Sequence, residues 1–196
     1  QGNLKITYTI EFYPEEGKYH YTGHRNCQVR QSPQETQKLG KICPICGRPL
    51  TVGVIHRVEQ LSRGREENLN YQKDNLGVRW IDSPQKNRPS YVMLVPLLEI
   101  LAESFGSQQT SQKVINEYEN LTKTFGSELG VLLKTDVEAI AKISGERVAE
   151  GVDKVRCGDL VIDPGYDGVY GVVKIWGHEE DSRSLQEETP QLGLFD

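Results

Sequence analysis

Apolar and polar positions follow three different patterns along the 196-residue chain. Residues 4–10 (LKITYTI) alternate between polar and apolar side chains, which predicts a strand. Residues 65–87 contain Gly77, Pro84 and no apolar periodicity, so they are predicted to form a loop between two domains. The apolar run at residues 91–95 predicts a second strand.

After residue 96 the apolar positions recur every three or four residues, the period of amphipathic helices. Pro96 suits the first position of a helix that ends before Gly106. A second helix is predicted to end at Gly126, because glycine commonly closes helices. A capping box at residues 135–138 (TDVE) predicts a third helix, and Ser-Gly at 144–145 separates it from a fourth.

The third and fourth helices resemble a helix-hairpin-helix, a motif that binds the DNA backbone. Because the second glycine of that hairpin is absent, plain helical packing is the favoured alternative. Beyond residue 158 apolar and polar positions alternate again, with the period of two residues that strands have. Residues 159–162 and 169–176 predict the strands of a hairpin around a tight turn at 163–168 (DPGYDG).

Composition narrows the class of protein. Hydrophobic residues make up 36% of the chain, enough for a core, and no apolar run reaches the roughly 18 residues that span a membrane. No membrane partner is therefore expected. The spacing of the four cysteines is typical of metal sites in a reducing compartment rather than of a disulfide framework. Because the sequence opens at Gln1 and runs straight into a strand, we expect it to be cut from a longer protein.

Two pairs of potential metal ligands lie near the start of the chain. His24 and Cys27 form an H-x-x-C pair, and Cys43 and Cys46 form a C-x-x-C pair after 15 intervening residues. Zinc binds four sulfur or imidazole ligands tetrahedrally, and two such pairs satisfy that geometry. A site closed by four protein ligands leaves no position for water. The spacing therefore predicts one zinc ion per chain, with a structural role.

Alternatives remain for the fourth ligand and for the cysteines. His20, His56 and Cys157 are other candidates, but the spacing to Cys27 favours His24. The segment around His56 is typical of a strand with a half-buried histidine, and Cys157 is typical of a small buried side chain. A redox dithiol and unpaired structural cysteines are the alternatives to zinc, and the second ligand pair argues against both.

Charge is unevenly distributed. The net charge is −5, yet residues 18–65 carry nine Lys and Arg against two acids, a local balance of +7. Such a basic segment favours a surface that faces phosphates, and Arg25, Arg48 and Arg57 are the candidate DNA contacts. A solvated face without a partner is the alternative.

Five segments of the chain are similar to the zinc-binding and C-terminal domains of the endonuclease Q family. They are residues 17–27 (GKYHYTGHRNC), 43–47 (CPICG), 53–59 (GVIHRVE), 88–97 (RPSYVMLVPL) and 164–171 (PGYDGVYG). The resemblance covers about residues 10–176. It implies an N-terminal polymerase-and-histidinol-phosphatase (PHP) catalytic domain, a zinc-binding domain and a helical domain. It also implies nicking of DNA 5′ to deaminated bases such as uracil or hypoxanthine, and at abasic sites.

The resemblance assigns zinc to the same four ligands: His24, Cys27, Cys43 and Cys46. Catalytic divalent metals are expected only in the PHP domain, upstream of Gln1, so no catalytic residue is predicted in this chain. The chain is therefore expected to be the DNA- and lesion-recognition portion of such a nuclease. A stand-alone zinc-containing adaptor for nucleic acid or protein is the alternative. Tyr166 and Tyr170 are candidates for the wall of a pocket that holds an extruded base, or they pack the hairpin.

The last residues carry a separate signal. Residues 177–196 are predicted to be a disordered tail, since six acids and one Arg fall within 179–196. Four residues near its end resemble the pentapeptide by which bacterial proteins bind the β sliding clamp: Gln191, Leu192, Leu194 and Phe195. In that motif Gln makes polar contacts, and Leu and Phe fill an apolar pocket. The likeness implies a bacterial source and a cytoplasmic location, and simple fraying is the alternative.

Together these patterns predict an α+β fold: a small zinc-binding module, then a mostly helical domain closed by a β-hairpin, with a disordered acidic tail. The predicted segments are the end of an upstream catalytic domain (1–16), the zinc-binding or metal module (17–64), a linker (65–87), the C-terminal domain (88–176) and the tail with its clamp motif (177–196).

Overall fold

The computed structural model describes residues 6–62, 69–83 and 88–177. Helices and short strands are mixed along these residues, which confirms the α+β class. The strands are β1 (Tyr8–Glu11), β2 (Thr22–His24), β3 (Val29–Gln31), β4 (Asn70–Lys73), β5 (Arg79–Asp82), β6 (Ser90–Met93), β7 (Val161–Asp163) and β8 (Val172–Lys174). The helices are α1 (Pro33–Leu39), α2 (Val54–Ser62), α3 (Leu97–Ser104), α4 (Gln112–Phe125), α5 (Glu128–Lys134), α6 (Val137–Ser144) and α7 (Glu146–Cys157).

Four strands form one mixed sheet in the order β1-β6-β5-β4. The predicted strand near the start is confirmed as β1, which pairs in parallel with β6. Strands β4 and β5 pair antiparallel, so the prediction of a structureless loop over 65–87 is wrong in its described part. The turn between them is held by the Asp74 carboxylate, which accepts the Leu76 and Val78 backbone N–H groups at 2.9 and 3.0 Å and the Trp80 indole N–H at 2.9 Å.

Helices α3 to α7 enclose the main apolar core. Fully buried members include Leu97, Ile100, Leu101, Val114, Leu121, Val131, Ile140, Val148, Val152, Val155 and Trp176. The apolar stripes of α6 and α7 both face this core, as the helical-packing alternative predicts. The predicted end of α4 is confirmed at Gly126, whose φ of 84° is left-handed.

Three details of the helices differ from the prediction. Helix α3 begins at Leu97, with Pro96 as its N-cap. Helix α5 was not predicted, because its seven residues are too few to show a period. The capping box at 135–138 is wrong: Asp136 is the N-cap of α6, and the Thr135 hydroxyl donates instead to the Gly130 carbonyl at 2.8 Å.

In the metal module, Ser32 caps the start of α1. The Ser32 hydroxyl accepts the Glu35 backbone N–H, and the Ser32 N–H donates to the Glu35 carboxylate. The strand expected around His56 is wrong, because residues 54–62 form helix α2. The β-branched residues that suggested a strand, Val54 and Val58, lie four apart on an exposed helical face, while His56 points inward and is 2% exposed.

The closing hairpin is confirmed as β7 and β8, with Asp163 opposite Val172. Its turn also packs on the metal module. The Tyr21 N–H donates to the Gly165 carbonyl, and the Gly168 N–H donates to the Lys18 carbonyl, each at 2.8 Å. The two predicted domains are therefore joined by backbone hydrogen bonds as well as by the chain between them.

Across the residues that the structure describes, no helix combines the length and apolarity needed to cross a bilayer. The clamp-like residues Gln191, Leu192, Leu194 and Phe195, and all of the tail beyond residue 177, lie outside the described residues.

Candidate metal centre and adjoining cleft

The four side chains that the spacing indicates as ligands lie together. The ligand atoms of His24, Cys27, Cys43 and Cys46 are all within 4.8 Å of one another. His24 ends strand β2, and Cys27 ends the short 3-10 turn Arg25–Cys27, after which Gln28 reverses the chain at φ 53°. Cys43 and Cys46 flank a second turn. We call residues 24–27 and 43–48 the two metal loops.

This donor set suits a soft divalent metal. Three sulfur atoms and one imidazole nitrogen match the ligands and the number that structural zinc sites use. The Cys46 sulfur and the His24 Nδ1 are 3.4 Å apart, and Cys43 is 1% exposed, so the four ligands lie together and are partly shielded from water. The cluster can therefore hold a metal ion.

The protonation of two of these thiols is strongly perturbed. Burial acts to raise the pKa of Cys43, but hydrogen bonds from the Cys46 and Ile45 backbone N–H groups and from His24 outweigh it and lower the pKa to about 6. Desolvation and the two neighbouring thiols raise the pKa of Cys27 to about 11. Backbone amides of the second metal loop thus favour the Cys43 thiolate, which is the form that binds metal.

The alternative ligands lie elsewhere. His20 is buried, and its ring stacks on Tyr21 with centroids 5.3 Å apart. The Nε2 atom of His56 is 3.1 Å from the Gln60 amide nitrogen, and its Nδ1 has no hydrogen-bond partner within the described ranges. Cys157 is half-buried, 3.5 Å from the Lys73 ammonium. None of the three belongs to the cluster of four found among the described residues.

A polar cleft of about 460 Å³ adjoins the metal loops. Its lining includes Tyr19, Arg25, Asn26, Arg48, Thr51 and Asp167, together with one edge of the ligand His24. Side chains from the metal module and from the hairpin turn therefore meet in this cleft.

Asp167 joins the parts of the cleft. Its carboxylate accepts the Arg25 backbone N–H at 2.7 Å and the hydroxyl of Thr51. Partial burial acts to raise the pKa of Asp167, but these two hydrogen bonds, with the nearby charges of His24 and Arg25, lower it. The residue adopts a left-handed φ of 42°, which aspartate tolerates better than most residues.

The candidate DNA contacts separate into two groups. Arg25 and Arg48 both line the cleft, whereas Arg57 lies on α2 and donates to the Gln60 side-chain oxygen at 3.2 Å. The Tyr166 ring is half-buried, and the Arg30 guanidinium lies 5.7 Å from its centroid. Tyr170 is 69% exposed, and the Lys18 ammonium lies 5.6 Å from its ring.

Several residues of the cleft could not be predicted from the sequence. Asp167 and Gly168 belong to the turn that the family resemblance indicated, but nothing in their spacing links them to residues 25 and 51. Tyr19, Asn26 and Thr51 carry no periodic or motif signal of their own. Their roles arise only from contacts between segments that are distant in sequence.

Part of the helical region is similar to a known protein family. Residues 96–159, which carry helices α3 to α7, match the MJ0043 C-terminal domain. MJ0043 of Methanocaldococcus jannaschii is 32% identical over 182 residues, which cover 90% of this chain and 21% of that protein. YqxK of Bacillus subtilis is 29% identical over 175 residues, which cover 89% of this chain and 37% of that protein. This chain therefore spans well under half the length of these relatives.

Two solved structures share this fold. The lesion-specific endonuclease PfuEndoQ from Pyrococcus furiosus has a TM-score of 0.69 and 31% identity, covering 93% of this chain and 42% of that one. A complex of Endonuclease Q with a 27-mer duplex substrate, which has an abasic lesion at the active site, gives a TM-score of 0.65 and 31% identity. That match covers 98% of this chain and 43% of that one. Both similarities include the metal module and the helices.

Proposed function

We propose that this chain is the DNA- and lesion-recognition portion of an endonuclease Q-like repair nuclease. The whole protein would nick DNA 5′ to deaminated bases such as uracil or hypoxanthine, or at abasic sites. The observation that carries the proposal is similarity over nearly the whole chain, at 31% identity, to the lesion-specific endonuclease PfuEndoQ and to Endonuclease Q. One of those structures is bound to damaged duplex DNA.

The surface around the cleft has the chemistry of a nucleic-acid interface. Arg25 and Arg48 supply cations in the cleft, and Lys18 lies between the rings of Tyr19 and Tyr170 at 5.6 Å from each. Cations attract the phosphate backbone by releasing condensed counterions. Exposed aromatic rings offer faces on which unpaired bases stack.

We assign one structural zinc ion to His24, Cys27, Cys43 and Cys46. We assign the hydrolytic chemistry and its divalent metals to a PHP domain in the part of the relatives that this chain does not span. No catalytic residue is proposed here. A DNA partner also favours a cytoplasmic location, and the β sliding clamp is the second partner that we propose.

The test is direct binding to damaged DNA. The zinc-loaded chain is titrated against fluorescein-labelled duplexes of one sequence that contain a central abasic-site analogue, a uracil, a hypoxanthine or no lesion. Anisotropy is read over a series of NaCl concentrations. We expect all duplexes to bind with a steep salt dependence, and the damaged duplexes to bind more tightly than the intact one.

Equal affinity for damaged and intact duplexes would support a DNA-binding role and contradict lesion recognition. No binding even at about 50 mM salt, where phosphate contacts are strong, would favour the adaptor alternative.

A further inference from the structure

Both arginines of the cleft are carried by the metal loops. Arg25 directly follows the ligand His24, and Arg48 comes two residues after the ligand Cys46. The second loop is closed by backbone hydrogen bonds: the Cys43 N–H donates to the Arg48 carbonyl at 2.8 Å, and the Gly47 N–H donates to the Cys43 carbonyl at 2.9 Å. The conformation that presents Cys43 and Cys46 to a metal thus also sets the position of the Arg48 backbone.

Little apolar packing holds the two loops against each other. Cys43 and Leu50 are the buried apolar side chains of this region, and most other buried side chains of the metal module are polar: His20, Thr22, Gln31, Thr36 and His56. Two backbone hydrogen bonds between Gly23 and Thr51, at 3.0 and 2.9 Å, join the segments that lead into the loops. A metal ion shared by His24, Cys27, Cys43 and Cys46 would be the strongest link between the loops.

The two guanidinium groups are available to a ligand. Throughout the described part of the chain, no hydrogen bond or salt bridge engages the side chain of Arg25 or Arg48, whereas Arg30 is paired with Asp163. The facing residue is Gly168, where an added Cβ would lie 3.4 Å from the Arg25 Nη1. The absence of a side chain there leaves room above the Arg25 guanidinium.

We propose that the cleft is a binding site for one phosphate group of a nucleic-acid backbone, and that the metal ion controls its affinity. This inference rests on the proposed DNA-binding function. Guanidinium groups bind phosphate through paired hydrogen bonds, and two of them act together only when their spacing is fixed. With metal bound, the two loops hold Arg25 and Arg48 in the lining of one cleft. Without metal the loops separate, and the two cations no longer converge on one phosphate.

The experiment compares the full chain in three states: zinc-loaded, stripped by a chelator, and reloaded with zinc. Each state is titrated against one fluorescein-labelled duplex over a range of NaCl concentrations, for the wild type and for the double variant Arg25→Ala/Arg48→Ala. The matched control is Arg57→Ala, which removes a cation of the same module outside the cleft. Far-ultraviolet circular dichroism follows the helices in every state.

In the zinc-loaded state we expect the double variant to bind at least tenfold more weakly. We also expect it to reduce the slope of log affinity against log salt by about 0.9, since one phosphate contact is lost. Arg57→Ala should change affinity by less than the double variant. Stripped wild type and stripped double variant should bind equally weakly, and zinc should restore the difference between them. The variant Arg25→Lys/Arg48→Lys should keep the salt slope but lose affinity, because lysine lacks the planar fork.

Each contrary result has a distinct meaning. A zinc-loaded chain that does not bind DNA would overturn the proposed function. Binding that is insensitive to the double variant would overturn the phosphate site alone. An arginine effect that persists unchanged in the stripped protein would overturn control by the metal. Loss of most of the helical dichroism on stripping would do the same: α3 to α7 hold most of the helical residues, so the metal would then support the whole fold rather than the cleft.

Discussion

Two charged side chains, Asp167 and Arg156, join segments of this molecule that are far apart in sequence. Asp167 binds the backbone of Arg25 and the hydroxyl of Thr51, 142 and 116 residues away. Arg156 is 1% exposed and donates to the carbonyls of Val131, Leu132 and Thr135 at 2.8, 2.8 and 2.5 Å, and to that of Leu76 at 3.2 Å. The ligand pairs could be predicted because their spacing is local. These two junctions could not, since no periodicity links their partners.

For Asp167→Asn we expect the free energy of unfolding to fall by about 1–2 kcal/mol at neutral pH, because a charged acceptor of two hydrogen bonds is replaced by a neutral one. The pKa of Asp167 is lowered in the folded protein, so its contribution is fully present above the unfolded value near 3.8 and is lost as the pH falls through the folded pKa. Urea denaturation at several pH values measures both effects.

The matched control is Asp163→Asn, at the end of strand β7. Asp163 is 64% exposed and pairs with Arg30 at the surface, so its loss should cost about 0–1 kcal/mol. Equal effects of the two variants would contradict the role assigned to Asp167.

Replacing Arg156 with Met should lower the free energy of unfolding by about 3–5 kcal/mol, since four carbonyls lose their donor in a buried site. Lys123→Met, on the exposed side of α4, is the control and should change stability by about 0.5 kcal/mol or less. Thermal and urea unfolding measure both variants. A loss below about 1 kcal/mol for Arg156→Met would show that water or backbone rearrangement replaces the guanidinium.

At the scale of elements, a helix or strand can be predicted from the sequence only if it is long enough for its apolar pattern to repeat. Helices α4 and α7 span 14 and 12 residues, long enough for an apolar stripe to repeat. Strands β4 and β5 have four residues each, and every residue of β4 is exposed, so no alternation marks them. The β-branched residues of α2 suggested a strand, but the helix buries His56 and leaves Val54 and Val58 exposed.

The metal module should depend on its metal, because few apolar side chains are buried within it. We expect one zinc ion per chain by metal analysis. Cys43→Ser should lose that zinc and unfold the described part of the module, residues 17–62, while helices α3 to α7 keep their own apolar core. Hydrogen exchange resolves the two regions.

Cys157→Ser is the matched control, since Cys157 lies outside the cluster. This variant should retain zinc and the hydrogen-exchange protection of the metal module. A native protein without zinc, or one with a disulfide between Cys43 and Cys46, would contradict the assignment of this site.

At the scale of the whole molecule, the hairpin turn makes the metal module and the helical region interdependent. The domain boundaries predicted at residues 64 and 88 rest on composition. Composition cannot show that residues 163–171 fold back and pack on residues 15–25. The cleft forms only when residues 163–171 pack in this way, since Asp167 and Gly168 line it together with Tyr19 and Arg25. A fragment that ends before residue 159 should therefore lack the phosphate site, even if its metal loops bind zinc.

The clamp proposal concerns residues 191–195, which lie outside the described residues. If they bind the clamp, as we propose, they would hold a nuclease there and raise its effective concentration at DNA. The order Gln-Leu-x-Leu-Phe places two large apolar side chains where burial in a pocket contributes about 1.5–3 kcal/mol each. Gly193 stands where Ser or Asp is commoner and should weaken binding modestly.

A peptide of residues 186–196 should therefore bind a bacterial β sliding clamp with a dissociation constant near micromolar (about −8 kcal/mol). Leu194→Ala with Phe195→Ala should abolish the interaction, because both apolar groups that fill the pocket are removed. Thr189→Ala, just outside the motif, is the control and should bind like the parent peptide. Isothermal titration calorimetry measures all three. If the parent peptide shows no binding at several hundred micromolar, a range where weak complexes are still detected (roughly −5 kcal/mol), the apolar end has no role at the clamp.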